Sequence, residues 1–363
     1  MPQSTRPASA HIMTLAQSFR GGGVERAMLR MAGGWAAAGR RVTLVLGSSE
    51  GPLAQELPGG VDVIELGSAD YRALLDMPAL ARKYRPDLIF IPGNHYTGVG
   101  GWTRLRLGKA CPPIVAKVSN SLVRPDMRGI GAWGYRRWLR MHPRFCDRIV
   151  TMTQATAEEA VREMRIPRER VAVIPNPPAI ALADAAPVPL PKGRYILGVG
   201  RLEPQKRWER LIDAFARLDA PDLQLLLLGE GSARATLEAQ VARFALGARV
   251  HMPGYAADPI PAMRGAALVA LTSDFEGVPG AVNEALALGT PVVATESSVS
   301  IRELIAPGSG SIVPPGDEAA LIAALDRWLA PGAARPAPRA ADGIDSIAAY
   351  LALFDDVVTQ RGA

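Results

Sequence analysis

Short apolar runs alternate with helix-like segments along the chain, and this alternation constrains the fold more than any other feature. A strand that is buried on both faces of a parallel sheet reads as a continuous apolar run. The connection between two parallel strands needs a dozen or more residues and is usually a helix. Repeated strand–helix–strand units therefore predict an α/β fold with parallel sheets.

The first half of the chain contains several such units. The predicted strands are His11–Ala16, Val42–Leu46, Leu88–Ile91, Ile114–Val118, Arg148–Met152 and Val171–Ile174. The predicted helices are Val24–Ala38, Pro78–Tyr84, Trp133–Met141 and Ala155–Met164. Pro175–Lys192 then contains six prolines, which is typical of a connector between domains.

The alternation restarts after this connector. The predicted strands are Tyr195–Val199, Leu223–Leu228, Arg249–Met252, Leu268–Leu271 and Val292–Ala294. The predicted helices are Trp208–Leu218, Ala233–Phe244, Ala281–Leu288 and Ser346–Val358. A second proline-rich break, Pro331–Pro338, precedes the last helix.

We therefore expect two doubly wound α/β domains with a cleft between them, at roughly 100–200 residues per domain. The predicted boundaries are 1–180 for an N-terminal domain, 181–193 for a linker, 194–343 for a C-terminal domain, and 344–363 for a terminal helix that returns to the N-terminal domain. Hydrophobic residues make up 48% of the chain, which is enough apolar material for two cores.

Composition argues against several classes of protein. With only two cysteines, Cys111 and Cys146, we expect neither a disulfide framework nor a structural zinc site. Met1–Ala10 has no signal-peptide pattern, and no stretch of about 20 apolar residues is present to span a bilayer. We expect a cytoplasmic protein. The net charge of +6 suits nucleic acid, anionic lipid or phosphate-bearing substrates, but no nucleic-acid motif appears, so no nucleic-acid partner is expected.

The segment Ser273–Gly289 carries the strongest chemical signal. It follows an apolar strand and opens a helix, so its loop offers backbone N–H groups at a positive helix N-terminus, where a diphosphate binds well. Glu276 lies in the loop and Glu284 lies in the helix. Carboxylates suit vicinal sugar hydroxyls because each oxygen accepts a hydrogen bond.

Two further loops follow predicted strands. Gly198–Arg207 presents Arg201 and Lys206, two cations that can neutralise a diphosphate leaving group. The triple glycine Gly21–Gly23 lets the backbone approach a ligand closely, but it is not the dinucleotide fingerprint, so NAD is not implied.

The spacing of seven residues between Glu276 and Glu284, within its surrounding sequence, closely resembles the signature of retaining glycosyltransferase family 4, also called glycosyl transferases group 1. The resemblance implies the GT-B fold, in which two Rossmann-like domains face each other across a cleft. It also implies that Glu276 contacts the donor sugar near the reaction centre and that Glu284 holds the ribose hydroxyls.

The same resemblance assigns the other donor-side residues. Arg201 and Lys206 match the family's cations beside the diphosphate. The glycine-rich loop with Gly22 and Gly23 would face the donor phosphates and the acceptor. The base would be contacted largely through backbone at Gly254 and Tyr255. The remaining donor-loop residues are Gly277, Val278, Pro279, Gly280 and Ala281.

The acceptor side departs from the family pattern. The family often places a histidine on the first domain after the strand that corresponds here to Ile114–Val118, but this chain has Ser119-Asn120-Ser121. Asn120 could supply a hydrogen bond instead. His95 ends another predicted strand and is the second acceptor-side candidate.

The expected activity is retaining transfer of a hexose-type sugar from a UDP- or GDP-sugar to a hydroxyl of a glycan or lipid-linked acceptor, in cell-surface polysaccharide or glycolipid synthesis. No Asp-x-Asp motif is present, so no metal or other cofactor is expected to be required. The basic aromatic stretch Trp133–Arg140 suits docking on the inner leaflet of a membrane as well as an ordinary solvated helix face.

Two other classes of function fit parts of the sequence. A glycoside hydrolase or phosphorylase would use Glu276 and Glu284 as a pair of carboxyls about 5–10 Å apart, flanking one bond. Glu284 is expected to point elsewhere because it lies further down the helix. A non-enzymatic membrane-binding or nucleic-acid-binding module would need only the basic charge.

Overall fold

The structure, a computed structural model, describes residues 8–20, 22–178, 187–340 and 343–362. The chain divides into two units: Met1–Pro177 with Gly343–Ala363 form unit 1, and Pro178–Asp342 form unit 2. The terminal helix thus belongs to unit 1. Gly21 and residues 181–186 of the predicted linker 181–193 lie outside the described residues.

Unit 1 is built on a seven-stranded sheet. Its strands are β1 (His11–Ser18), β2 (Arg41–Ser48), β3 (Val61–Glu65), β4 (Leu88–Ile91), β5 (Ile114–Lys117), β6 (Arg148–Thr151) and β7 (Val171–Val173). The strand order is β3-β2-β1-β4-β5-β6-β7, and all pairings are parallel. The helices are α1 (Gly23–Ala37), α2 (Met77–Tyr84), α3 (Thr97–Leu107), α4 (Gly129–Leu139), α5 (His142–Phe145), α6 (Gln154–Met164) and α13 (Ser346–Gly362).

The terminal helix α13 packs on unit 1 through an aromatic cluster. Tyr350 and Phe354 contact Trp35 of α1 and Phe90 of β4, with ring centroids 5.1–5.8 Å apart. All four side chains are buried. Burial of large aromatic rings dominates core energetics, so this cluster accounts for the return of the last helix to the first unit.

Unit 2 is built on a six-stranded sheet. Its strands are β8 (Tyr195–Val199), β9 (Gln224–Leu228), β10 (Val250–Gly254), β11 (Leu268–Leu271), β12 (Val292–Thr295) and β13 (Gly310–Val313), in the order β10-β9-β8-β11-β12-β13. Every pairing is parallel. The helices are α7 (Trp208–Ala216), α8 (Arg234–Arg243), α9 (Ile260–Gly265), α10 (Gly280–Ala287), α11 (Ile301–Leu304) and α12 (Glu318–Leu329).

Each sheet reverses its strand order at one point. In unit 1 the reversal lies between β1 and β4, and in unit 2 it lies between β8 and β11. Open α/β sheets bind ligands outside the carboxyl ends of the strands at such a switch point, because the loops diverge there and leave a crevice. The fold therefore indicates one candidate binding position in each unit.

The sequence patterns missed several elements for identifiable reasons. Strand β3 lies at a sheet edge and is half-exposed, so it lacks a continuous apolar run. Helix α3 contains three glycines, which weaken its helical pattern. The edge strand β13, with helices α9 and α12, was also absent from the predicted elements.

Candidate active site

The loops that follow β8 and β11 come together at the switch point of unit 2. These two strands are direct neighbours in a parallel sheet, so their carboxyl ends lie at the same edge. The first loop carries Arg201 and Lys206, and the second carries Glu276. The two strongest motifs, which are about 70 residues apart in sequence, thus become adjacent through strand pairing.

Lys206 and Glu276 form the centre of this arrangement. The Lys206 ammonium lies 2.5 Å from Glu276 Oε1, and only 16% and 11% of the two side chains are exposed. The hydroxyl of Ser273, which is fully buried, donates to the same carboxylate oxygen at 2.6 Å. Within the described part of the chain, Glu276 Oε2 has no hydrogen-bond partner. The pair therefore presents one cation and one unengaged carboxylate oxygen.

The backbone around this pair is held by contacts between the same two loops. The Gln205 side chain donates to the carbonyl of Phe275 at 2.6 Å, and the Asp274 N–H donates to the Gln205 carbonyl at 3.0 Å. Asp274 also accepts from Arg207 at 2.5 Å and from Arg210 at 2.7 Å. These links cross between strands and fix the position of Lys206 relative to Glu276.

Arg201 and Gly200 complete the loop after β8. The Arg201 side chain is exposed and forms no ion pair with any described residue, whereas its carbonyl accepts from the Trp208 indole at 3.0 Å. A Cβ at Gly200 would lie 3.2 Å from Lys206 Cε. The missing side chain lets the lysine stem lie across the end of β8, so both cations remain near the same strand end.

Helix α10 begins directly after the loop that carries Glu276. Gly277 and Pro279 are buried, and Val278 is half-buried. The helix starts at Gly280, so the N–H groups of Gly280 and Ala281 have no carbonyl acceptor within the helix. Such groups suit the oxygens of a phosphate.

The remaining donor-side residues lie in the same unit. Glu284 is the fifth residue of α10, just over one turn from its start, and is half-buried. The sequence had placed Gly254 in the loop after a strand that ended at Met252. In the structure Gly254 is the last residue of β10, and Tyr255 follows it. The carboxyl end of β10 lies at the same sheet edge as those of β8 and β11, because all strands are parallel.

Unit 1 brings its predicted residues to its own switch point. Gly22 immediately precedes α1, and Gly23 is its first residue. His95 lies in a short 3₁₀ turn after β4, with its Nε2 atom 3.1 Å from Gln17 Oε1. Asn120 follows β5, and its side-chain oxygen accepts from the Ser121 N–H at 2.9 Å. This local bond engages one of the two lone pairs of the amide oxygen, and the amide NH₂ can donate to a ligand.

Several polar residues beside these sites were not singled out by the sequence. Ser273 contacts Glu276, and in unit 1 the side chains of Gln17, Glu25 and Tyr96 surround His95 and Gly22. Glu25 lies two residues after the triple glycine and Tyr96 directly follows His95, so their only sequence signal was proximity to an assigned residue.

Sequence comparison then assigns the family. The sequence profile described as glycosyl transferases group 1 matches residues 184–340, and that of Glycosyltransferase Family 4 matches residues 21–178. The chain belongs to this glycosyltransferase family. The two profiles meet near the division between unit 1 and unit 2.

Characterised relatives match part of the chain. An N-acetylgalactosamine-N,N'-diacetylbacillosaminyl-diphospho-undecaprenol 4-alpha-N-acetylgalactosaminyltransferase from Campylobacter jejuni is 28% identical over 251 residues, which cover 63% of this chain and 65% of the relative. The lipopolysaccharide 1,6-galactosyltransferase of Salmonella typhimurium is 30% identical over 166 residues, which cover 44% and 46%. The chain therefore spans less than two thirds of the length of either relative.

Solved structures agree with the fold. The Anabaena protein HepE in complex with UDP-glucose superposes with a TM-score of 0.70 at 22% identity, covering 97% of this chain and 95% of that one. Sucrose-phosphate synthase from Thermosynechococcus elongatus superposes with a TM-score of 0.73 at 21% identity, covering 97% of each chain. The family member described here thus has the GT-B fold of two parallel-sheet α/β units.

The described residues also show how metal-binding groups, thiols and apolar helices are distributed. They contain no group of three or more histidine, cysteine or acidic side chains arranged to hold a metal ion. Cys111 and Cys146 are both free thiols and both buried, and burial raises the pKa of each. None of the helices in the described ranges is both long and apolar enough to cross a membrane.

Proposed function

We propose that the chain is a retaining hexosyltransferase that moves a sugar from a UDP- or GDP-sugar to a hydroxyl group of a glycan or lipid-linked acceptor. The observation that carries this proposal is the Lys206–Glu276 pair at the switch point of unit 2, beside Arg201 and the start of α10. The cation and the free backbone N–H groups suit the diphosphate of a nucleotide sugar, and the carboxylate suits its sugar hydroxyls. The family to which the chain belongs supports the same assignment.

The proposed reaction exchanges one C–O bond for another. The bond between the sugar's anomeric carbon and the diphosphate oxygen breaks, and its electron pair leaves on the diphosphate. The acceptor hydroxyl forms the new bond to the anomeric carbon on the same face, and its proton passes to the departing phosphate oxygen. Charge therefore builds up on the diphosphate, and preorganised cations beside it lower the barrier.

Each residue has a defined part in this proposal. Lys206 and Arg201 neutralise the leaving diphosphate, and the N–H groups of Gly280 and Ala281 donate to its oxygens. Glu276 accepts from sugar hydroxyls through its unengaged oxygen, and Glu284 accepts from the ribose hydroxyls. The Arg201 side chain is exposed, so it is accessible to the diphosphate.

The donor and acceptor classes come from relatives and solved structures. HepE was solved in complex with UDP-glucose, and the two relatives named above transfer a galactosyl and an N-acetylgalactosaminyl group. Their acceptors are a lipopolysaccharide and a diphospho-undecaprenol-linked glycan. We extend these classes to this chain as a hexose donor and an acceptor used in cell-surface polysaccharide or glycolipid synthesis.

We also propose that the reaction needs no divalent cation and no other cofactor. The sequence has no Asp-x-Asp motif, and the leaving charge can be met by Lys206, Arg201 and the start of α10. A dipositive ion would duplicate that role.

A basic aromatic surface on unit 1 supports docking on the cytoplasmic face of a membrane. Segment 127–146 carries five arginines and no lysine, aspartate or glutamate, so its formal charge is +5, against +6 for the whole chain. Within it, helix α4 exposes 88% of Ile130 and 62% of Trp133. Exposed apolar side chains flanked by arginines fit an anionic lipid interface.

Vesicle flotation tests this docking. We expect the protein to bind vesicles of phosphatidylglycerol and phosphatidylethanolamine, and to bind phosphatidylcholine vesicles weakly. Replacing Ile130 and Trp133 with serine should release it, while Val299→Ser, an exposed apolar residue of unit 2, should not. Equal binding to both vesicle types, or no effect of the double substitution, would refute the docking surface.

A thermal-shift screen tests the activity itself. A ligand that binds only the native state adds about 2.7 kcal/mol to the free energy of unfolding at 100 times its Kd, and this raises the melting temperature. We expect UDP or GDP and their hexose conjugates to raise it, and simple glycosides alone to leave it unchanged. A shift by glycosides without any shift by nucleotides would favour the glycosidase alternative.

A further inference from the structure

A proline-rich segment of unit 2 lies against the end of helix α10 that is opposite the candidate diphosphate site. This segment, residues 331–340, follows helix α12, and we call it the strap. Its sequence, PGAARPAPRA, contains two arginines, Arg335 and Arg339, and no acidic residue. Neither arginine is among the candidate site residues.

The Arg335 side chain bridges the C-terminal ends of two helices. Its Nε atom donates to the carbonyl of Gly289, just beyond α10, at 3.1 Å. Its Nη1 and Nη2 atoms donate to the carbonyls of Ala266 and Arg264, at the end of α9, at 3.2 and 2.9 Å. Nη2 also donates to the hydroxyl of Thr290, which is fully buried. The last carbonyls of a helix lack donors within the helix, and a planar guanidinium supplies several donors at once.

Arg339 holds α10 itself at two points. Its backbone N–H donates to the carbonyl of Leu286 at 2.8 Å, and its Nη2 atom donates to the side-chain oxygen of Asn283 at 2.9 Å. Asn283 directly precedes Glu284, the carboxylate proposed to accept from the ribose hydroxyls. The Nη1 atom donates to the carbonyl of Leu304, at the end of α11, at 3.3 Å. The strap therefore contacts α10 from its C-terminal end back to the middle of the helix.

Gly289 lets the strap approach the end of α10 closely. Its φ of +68° lies in the left-handed region that favours glycine. A Cβ at this position would lie 2.5 Å from the carbonyl oxygen of Pro336 and 3.1 Å from the nitrogen of Pro338. Because these distances leave no room for a side chain, the strap requires a glycine at the last position of the segment 273–289.

Helix α10 is short, so contacts at its C-terminal end also fix its start. It has eight residues, and at 1.5 Å per residue it is about 12 Å long. Its N-cap residue, Pro279, provides no side-chain cap. The N–H groups of Gly280 and Ala281 therefore depend for their position on how the whole helix is held. Donors that are already in place bind a ligand more tightly than donors that must first be ordered.

We propose that Arg335 and Arg339 are positioning residues of the donor site, which hold α10 at its C-terminal end so that its start meets the diphosphate. The proposal rests on the transferase function proposed above and extends it to a segment that touches no substrate. The planar fork of Arg335 carries this role, and not its positive charge alone. A lysine would keep a cation at the helix end, but one ammonium group cannot bridge α9 and α10 as the fork does.

The test measures nucleotide affinity in the full-length protein. The variants are Arg335→Ala, Arg335→Lys and Arg339→Ala, and the matched control is Arg327→Ala, which removes an exposed arginine of α12 in the same unit. Titration calorimetry gives the Kd for UDP and UMP, or for GDP and GMP if the wild type binds guanine nucleotides. Melting curves without ligand show where each variant unfolds, and all titrations are run well below that temperature.

We expect Arg335→Ala and Arg335→Lys to raise the Kd for the diphosphate about tenfold, because the donors at the start of α10 lose their fixed position. Arg339→Ala keeps the backbone bond to Leu286, so we expect a rise of about threefold. The Kd for the monophosphate should rise less, because it offers fewer oxygens to these donors. Arg327→Ala should match the wild type.

A strap that serves stability alone would give a different result. The ligand-free variants would melt at lower temperatures, yet bind the diphosphate as tightly as the wild type, and this would overturn the inference. Wild-type affinity in Arg335→Lys would show that a charge suffices and would overturn the proposed bridge. Arg339→Ala keeps the test decisive if both Arg335 variants fail to fold.

The wild type separates this inference from the function on which it rests. If it binds neither UDP nor GDP, the transferase function fails and the inference fails with it. If it binds one of them and the strap variants bind it equally well, only the inference fails.

Discussion

The switch points of the two units differ in charge although they share one topology. Both sheets reverse their strand order after the strand that opens the unit. Unit 2 places Arg201, Lys206 and Glu276 there, whereas unit 1 places Gln17, Glu25, His95 and Tyr96 there. Strand order thus determines where a ligand can bind, and the side chains at the strand ends determine which ligand chemistry fits.

Two lysines at strand ends sharpen this contrast. Lys206 of unit 2 is partly accessible and faces a carboxylate. Lys117, the last residue of β5 in unit 1, is fully buried and donates to the neutral side-chain oxygen of Asn176. Burial lowers the pKa of Lys117 to about 7. Lys117 therefore lies in the interior of unit 1. Of these two lysines, only Lys206 is placed to contact a charged ligand.

The largest expected effect comes from removing the cation of unit 2. Lys206→Ala should lower kcat about 100- to 1,000-fold, because the leaving diphosphate loses a preorganised charge partner. Steady-state kinetics with a saturating UDP-hexose measure it. Lys192→Ala, an exposed lysine in the same unit, should leave kcat unchanged. Unchanged turnover in Lys206→Ala would remove the catalytic assignment.

The next effect concerns nucleotide affinity. Glu284→Ala should raise the Kd for UDP or GDP about tenfold or more, because the ribose hydroxyls lose a charged acceptor. Titration calorimetry gives the Kd, and a melting curve without ligand checks that the fold is intact. Asp222→Ala, at an exposed position of unit 2, is the control. Equal affinity for Glu284→Ala and wild type would contradict the ribose contact.

Replacing the buried Lys117 of unit 1 should change the melting temperature by an amount that depends on pH. The unfolded chain holds the Lys117 proton up to its ordinary pKa of 10.5, but the folded chain releases it near 7, so wild-type stability rises with pH between these values. Lys117→Met removes the buried charge and should raise the melting temperature by about 5 °C at pH 6. The gain should shrink towards pH 10.

Melting curves at pH 6, 8 and 10 measure this difference. The control is Lys109→Met, since Lys109 is exposed in the same unit and its loss should shift the melting temperature equally at every pH. A difference between Lys117→Met and wild type that grows with pH would show that Lys117 is not desolvated as the structure places it.

A smaller effect is expected at the link between the two unit 2 loops. Asp274→Asn weakens the bonds to Arg207 and Arg210, of which Arg207 is 41% exposed, so we expect only about 1 kcal/mol of lost stability. Because the link positions Lys206 beside Glu276, kcat should fall severalfold while the acceptor KM stays constant. Loss of stability with full kcat would show that the link is structural only.

The smallest effect should follow removal of divalent cations. If Lys206 and Arg201 meet the leaving charge, excess EDTA should leave the initial rate within about twofold of the untreated enzyme. A rate that collapses in EDTA and returns with Mg²⁺ would overturn the metal-independent assignment. A known metal-dependent transferase in the same buffer verifies the chelation.

Much of unit 2 could be predicted from the sequence, because its four central strands are largely apolar and its candidate binding residues lie in the loops directly after strands. The Glu276 segment and the Arg201–Lys206 loop were assigned from residue order alone, and their meeting follows from the pairing of β8 with β11. Family membership and the GT-B fold were predicted from the resemblance that the Glu276 segment carries, and both are confirmed.

The contacts among Gln17, Glu25, His95 and Tyr96 at the switch point of unit 1 could not be predicted in this way. Glu25 and Tyr96 are 71 residues apart in sequence, and no spacing rule connects them. Their contact depends on β1 and β4 being neighbours, on the short turn after β4, and on a glycine at position 22 that leaves room for the carboxylate. Side-chain contacts between distant segments require the three-dimensional structure.

Hydrogen–deuterium exchange with and without UDP tests most directly whether the nucleotide site lies at the switch point of unit 2. The account predicts slower exchange in segments 198–207 and 273–285 when UDP is bound, and a loss of this protection in Lys206→Ala. Unchanged exchange in both segments, with slowing confined to segments 11–20 and 89–98 of unit 1, would contradict it.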